Sequence, residues 1–196
     1  MINKKNNSVE ISLALPVFNE EKNIEKVIND SIIALNKISR PWEIIIVDNF
    51  SDDSSFEIIN KISNNEDRIR VIRHKKNELY SGSSKTAIQT SSGKYVAIMD
   101  SDNQLNPSDL PKFIEKLENG NNLVFGWRKY RKDPIIRIIV SAIFNLLGKF
   151  WIKYYFHDLN CGFRMFDRSF INCLEIKHKI NMLNPELFVS AKVYNL

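Results

Sequence analysis

Residues 92–107 read SGKYVAIMDSDNQLNP. Residues 95–99, YVAIM, are a short apolar run with Ser-Gly before it and polar, turn-forming residues after it, the pattern of a buried strand. The strand runs into Asp100, Ser101 and Asp102. In open parallel sheets ligands bind beyond the carboxyl ends of the strands, where crevices and helix amino termini lie, so an acidic pair at this point is placed to meet a ligand. Two carboxylates with one residue between them can converge on a hard divalent cation, Mg2+ or Mn2+, that keeps some waters and takes further oxygens from a diphosphate. The plain alternative is a pair that only caps a turn; its position after a buried strand favours the metal. A calcium-binding EF-hand loop would also use Asp100, Asp102 and Gln104 at alternate positions. It fails because Leu105 stands where that loop needs glycine and Pro111 where it needs glutamate, and because a strand leads in.

Outward from this stretch, strand and helix patterns alternate. Ile11–Val17 (ISLALPV) reads as a buried strand, and Asn19, Glu20 and Glu21 form a helix-start signal before an apolar pattern at Ile24, Val27, Ile28, Leu35 and Ile38. A second unit opens with the β-branched run EIIIV at 43–47; after the turn-rich NFSDDSS it predicts a short helix with Phe56, Ile59 and Ile62 inward. Residues 69–72 predict a short strand and residues 83–90 a helix. Beyond the acidic pair come a helix over 108–118, closed by Gly120, and a strand at 123–125. This alternation predicts an α/β fold, a three-layer and mostly parallel sheet. Its strand ends would gather Pro16, Phe18, Asn19 and Glu20, then Asp48 and Asn49, then Asp100, Ser101 and Asp102 on one edge. Asp48 keeps a second reading, as the cap of the next helix.

A chain of 196 residues that is 43% hydrophobic and 26% charged can bury one core. The formal charge of +5 suits anionic partners: nucleotides, phospholipid headgroups or nucleic acid. Nucleic acid ranks last, because the basic residues are not interleaved with aromatics on a recognisable motif. Cys161 and Cys173 form no CxxC pair, which points to buried thiols in a reducing compartment, with a disulfide as the lesser reading. His74, His157 and His178 have no zinc-site spacing and read as structural or surface residues. Residues 1–10 are polar and lack the apolar core of a secretory signal, so a cytosolic location is expected.

Residues 135–156 are the most apolar part of the chain. Arg137, Lys149 and Lys153 interrupt them and leave an uncharged run of 11 residues at 138–148, against the roughly 20 that a spanning helix needs. The segment reads either as a core helix or as an amphipathic helix lying in a membrane interface. The charge-rich residues 128–134 before it favour the interface and are the candidate lid.

Taken in order, LPVFNEEKNI at 15–24, EIIIVDNFSDDSS at 43–55, SGKYVAIMDSDNQLNP at 92–107, GWR at 126–128 and DLNCGFRMF at 158–166 resemble the family 2 glycosyltransferases. The similar branch includes dolichol-phosphate mannosyltransferase and bacterial polyprenyl-phosphate sugar transferases. The resemblance implies a GT-A, Rossmann-like nucleotide-sugar-binding fold. It implies that Pro16, Phe18, Glu20 and Asp48 bind the nucleotide, Asp48 at the base. Asp100 and Asp102 would hold the metal and diphosphate, with Ser101 between them and Gln104 at the sugar side. Arg128 and Arg137 would meet an acceptor phosphate, with Ser141 nearby and Asp158 and Arg164 in support.

The same resemblance makes 1–196 a single catalytic domain, with a nucleotide-sugar part over about 9–127 and an acceptor-side part over about 128–196 that is short for the family. Departures from the pattern are Asn49 for a second Asp, Asp53 for Gly, Asn103 for Leu, and few glycines around Gly82. The implied reaction is metal-dependent, inverting transfer from a nucleoside-diphosphate sugar to a polyprenyl or dolichyl phosphate at the cytosolic face of a membrane. An anionic phosphate needs positioning rather than a base, and arginines can grip it bidentately. The alternatives are transfer to a glycan hydroxyl, for which Asp158 would be the base, and a nucleotide-binding module without transfer activity.

Overall fold

The structure, a computed structural model, describes residues 8–127, 158 and 161–173, with the side chain of Cys173 excepted. Its elements in chain order are β1 (Ile11–Val17), α1 (Ile24–Ile38), β2 (Trp42–Asp48), α2 (Ser55–Ser63), β3 (Ile69–Arg73), α3 (Leu79–Thr90), β4 (Tyr95–Ile98), a 3-10 turn (Pro107–Asp109), α4 (Leu110–Glu118), β5 (Leu123–Phe125), β6 (Arg164–Asp167) and α5 (Arg168–Cys173). The strands form a six-stranded sheet in the order β3-β2-β1-β4-β6-β5. The first four strands are mutually parallel, and β6 runs antiparallel to both β4 and β5.

Successive strand residues face opposite sides of the sheet, and the core divides accordingly. Ile11, Leu13 and Leu15 of β1, with Ile44 and Ile46 of β2, pack against Ile24, Ile28 and Leu35 of α1, Ile59 of α2 and Leu110, Phe113 and Leu117 of α4. Ala14, Ile45, Val47, Val96 and Ile98 face the other way, against Ala87 and Ile88 of α3 and Phe170 of α5. The result is the three-layer architecture expected. Strands β1 and β2 are buried along their whole length, which is why they read as near-continuous apolar runs.

Three local expectations change. First, α1 begins at Ile24, and Asn19 does not cap it: Asn19 sits in a loop at φ 56 and its side chain accepts the Asp52 amide at 3.0 Å. Second, α3 starts a turn early, at Leu79, through the serine- and glycine-containing LYSGSS, whose low helix propensity hides it. Third, β6 has no counterpart in the strand pattern. It inserts between β4 and β5, so the expected nucleotide and acceptor parts share one sheet. Inward packing of α2 is complete only for Ile59, with Phe56 and Ile62 half-buried.

Candidate active site

All three polar clusters lie at the carboxyl edge of the sheet, because β1, β2 and β4 are parallel and in register, with Val17 beside Asp48 and Ala14 beside Ile98. Four residues in the left-handed backbone region also lie on that edge: Asn19 at φ 56, Phe50 at 68, Leu79 at 60 and Asn103 at 59. Such conformations strain side chains other than glycine, so they concentrate where the surrounding structure holds the chain for a purpose.

The loops after β1 and β2 are fastened to each other. Asn19 and Glu20 donate their amides to the Ser51 and Ser55 hydroxyls at 3.0 and 2.7 Å, and Glu21 donates its own to Asp53 Oδ2 at 3.0 Å. In return, Asn19 and Glu21 side chains accept the Asp52 and Ser54 amides at 3.0 and 3.2 Å. Asp53, the departure from glycine, is therefore part of the fastening. Its carboxyl lies below the ordinary value: burial opposes this, but bonds from Ser55 and the Glu21 amide outweigh it.

Asp48 has no exposed surface. Its Oδ1 accepts the Ser51 amide at 3.3 Å, and Arg73 Nε lies 3.1 Å from Oδ2, an ion pair without hydrogen-bond alignment. It does not cap α2, which starts at Ser55. Asn49 is the hub of a hydrogen-bond network. Its Oδ1 accepts the Glu78 amide at 2.9 Å and lies 3.0 Å from His74 Nδ1, and its Nδ2 donates to Asn77 at 2.9 Å. The other ring nitrogen of His74 lies 2.9 Å from the Thr86 hydroxyl, which gives this histidine the structural role expected. Beside Asn49 and Asn77 opens a cleft of about 310 Å³, lined further by Pro16, Phe18, Leu79 and Tyr80.

At the end of β4, Ser101 donates to the Pro16 carbonyl at 2.9 Å and is buried, so it ties the acidic loop to β1. Asp102 is half-exposed and accepts the Gln104 amide at 3.1 Å, while the Gln104 side chain is exposed. Asp100 Oδ1 accepts the Tyr80 hydroxyl at 2.7 Å. Tyr80 in turn accepts from Arg164 Nη2 at 2.9 Å. Burial pushes the Tyr80 hydroxyl well above its ordinary value, and Asp100 adds to this against the opposing charge of Arg164; the proton stays on the oxygen. Gly162 closes the other side of Asp100, since a Cβ there would fall 1.7 Å from Oδ2.

Burial also pushes the Glu20 carboxyl up. The Asn23 hydrogen bond works against this, and the negative charges of Asp102, Asp53 and Asp100 add to it. Negative charge gathered at this edge favours a cation. Asp100 and Asp102 fit a hard divalent ion that takes its other ligands from diphosphate and water, and no cluster of three or more His, Cys, Asp or Glu metal donors occurs among the described residues.

Arg164, expected at the acceptor, is 0% exposed and supports the site from within β6 instead of facing solvent. Asp158 is buried too, and its carbonyl accepts the Cys161 amide at 3.3 Å. Cys161 is a buried thiol. Arg128, Arg137, Ser141, His157, His178 and the segment 135–156 lie outside the described residues. Tyr80, Asn77 and Gly162 were not singled out by sequence reasoning; a hydroxyl-bearing aromatic among serines is a faint signal at best.

Comparison with known proteins gives the family and the fold. The profile for "Glycosyl transferase family 2" matches residues 12–175. A dodecaprenyl-phosphate galacturonate synthase of Rhizobium johnstonii is 30% identical over 91% of this chain and 54% of its own length. An undecaprenyl-phosphate 4-deoxy-4-formamido-L-arabinose transferase of Pectobacterium atrosepticum is 27% identical over 90% of this chain and 54% of its own. The chain thus spans about half the length of these curated relatives. Among solved structures, glucosyl-3-phosphoglycerate synthase of Mycobacterium tuberculosis superposes with a TM-score of 0.65 at 24% identity, over 85% of this chain and 59% of that one. The mannosyltransferase PcManGT of Pyrobaculum calidifontis, solved with GDP-Man and Mn2+, gives 0.57 at 16% identity over 83% and 46%. The fold is therefore GT-A, and a profile match running from β1 through α5 makes this chain a member of glycosyltransferase family 2.

Proposed function

We propose that the chain is the catalytic part of a divalent-metal-dependent, inverting glycosyltransferase that moves a sugar from a nucleoside-diphosphate sugar to a polyprenyl or dolichyl phosphate. The observation that carries this reading is the pair Asp100 and Asp102 after β4 at the carboxyl edge of the sheet, with Tyr80 joining Asp100 to a cleft of about 310 Å³. The relatives named for polyprenyl-phosphate acceptors and the neighbours solved with Mn2+ support it. When bound, Mg2+ or Mn2+ held by Asp100 and Asp102 would neutralise charge growing on the departing diphosphate.

The remaining roles fall to this chain's own residues. The cleft holds the nucleotide, with Pro16 and Phe18 along it, Asp48 at the base end and Gln104 toward the sugar. Arg128 and Arg137, with Ser141, orient the acceptor phosphate. One of its oxygens attacks the sugar carbon from the face opposite the diphosphate; the new C–O bond forms as the old one breaks, and the leaving diphosphate keeps the electron pair. An acceptor that is already anionic needs positioning and no base. No described helix is long and apolar enough to cross a membrane; the proposed site of action is the cytosolic face of a membrane, reached by peripheral association.

The test is product formation from UDP- and GDP-sugars with undecaprenyl phosphate, with MnCl2 and with EDTA. Metal-dependent glycolipid of inverted anomeric configuration is the expected result. Nucleotide binding with no transfer to any phosphate or hydroxyl acceptor would favour a binding module.

A further inference from the structure

Tyr80 stands in the first turn of α3, and its hydroxyl joins two charged groups from other elements. It donates to Asp100 Oδ1 at 2.7 Å and accepts from Arg164 Nη2 at 2.9 Å. The guanidinium lies 5.6 Å from the centre of the Tyr80 ring. Arg164 pairs with Ile98 across β4 and β6 and is 0% exposed, so its position is set by the sheet and not by solvent. On the far side of Asp100, the bare Cα of Gly162 leaves no room for a side chain. The Asp100 carboxylate is thus gripped between a hydroxyl anchored to a buried arginine and a glycine backbone.

We infer that Tyr80 is a positioning residue that holds Asp100 in the rotamer used for divalent-cation and diphosphate binding, and that Arg164 acts through it. This rests on the proposed reading of the site as a metal–nucleotide centre. Tyr80 also lines the nucleotide cleft, so cleft and carboxylate share one side chain. Groups that orient a metal ligand commonly affect metal affinity by about 10- to 100-fold when removed.

The experiment is calorimetric titration of the full chain with UDP and GDP, with and without MnCl2, for wild type, Tyr80→Phe, Asp100→Asn and the double variant. Expected in Tyr80→Phe is a loss of about tenfold in the affinity gain that MnCl2 brings to nucleotide binding, and no further loss once Asp100 is Asn. Equal losses with and without metal, or wild-type binding, would overturn the inference. A wild type that binds nucleotide with no help from metal overturns the metal–nucleotide reading itself, and this inference falls with it. As a readout that keeps the hydroxyl, 3-fluorotyrosine at position 80 should shift its 19F resonance when MgCl2 and nucleotide are added together, and should not in Asp100→Asn. A resonance that ignores the metal in the wild-type background overturns the inference even if Tyr80→Phe fails to fold.

Discussion

Arg73 covers Asp48 at the end of the β2–β3 pairing, with Nε 3.1 Å from Oδ2. The guanidinium is held on its other sides as well, donating from Nη2 to the Ser51 carbonyl at 3.0 Å and lying 4.1 Å over the Phe56 ring. The ion pair with Arg73 and the bond from the Ser51 amide fix the buried carboxylate in place. Asp48→Ala is expected to weaken UDP or GDP affinity by about tenfold or more, the scale of a lost hydrogen bond to a charged group, while Mn2+ affinity measured without nucleotide stays unchanged. Calorimetry with each ligand alone checks this; equal losses would mean that the substitution disturbs the whole edge.

Asp102 is half-exposed, and its Oδ1 accepts the neighbouring Gln104 amide at 3.1 Å. Asp102→Ala should therefore cost little stability, about 0.5–1.5 kcal/mol, and remove metal-supported nucleotide binding. Thermal unfolding paired with titration in MnCl2 separates the two effects. Wild-type affinity in the variant would remove Asp102 from the metal site.

Gly162→Ala acts on the same centre from the opposite side. A Cβ 1.7 Å from Asp100 Oδ2 must displace the carboxylate, since Tyr80 holds the other oxygen. The expected outcome is about 1–3 kcal/mol of destabilisation from overpacking, with metal-supported binding lost in the chain that remains folded. Urea unfolding and nucleotide titration read these separately.

At the amino end of β2, Glu43 Oε1 accepts the Ser12 hydroxyl at 2.6 Å and the Ser92 amide and hydroxyl at 2.7 and 2.8 Å. Burial raises its carboxyl, but these bonds and the charge of Arg70 outweigh burial and hold it below the ordinary value. A carboxylate depressed in the folded state stabilises fully above its unfolded value of about 4.3 and loses that contribution as pH falls through the folded value. Glu43→Gln should cost about 1–3 kcal/mol at pH 7, with the gap from wild type narrowing below about pH 4. Urea unfolding from pH 7 to 3 tests the sign, which a gap that widens in acid would reverse.

The sequence of 135–156 predicts binding to anionic vesicles over neutral ones, through apolar residues such as Ile139 and Phe144 with Arg137, Lys149 and Lys153 among them. Ile139→Ser with Phe144→Ser should reduce co-sedimentation with anionic vesicles without changing circular dichroism. Loss of fold would place the segment in the core.

Much of the sheet is legible in the chain because its cause is local. Ile11–Val17 and Trp42–Asp48 are buried on both faces, so their composition alone marks them as strands, and parallel pairing then puts Asp48, Asp100 and Asp102 on one edge. Other features depend on residues remote in sequence. The first turn of α3 is poor in helix formers and takes its place by packing, and β6 is a four-residue strand whose slot between β4 and β5 no local pattern specifies. Tyr80 meets Asp100 across 20 positions and Arg164 across 84, and Asn49 meets His74 across 25. A hydrogen bond depends on where folded backbones bring donor and acceptor together. Residue type at strand ends therefore announces an acidic edge, whereas the grip on Asp100, the burial of Arg164 and the fastening of Glu21 to Asp53 exist only once the layers have closed.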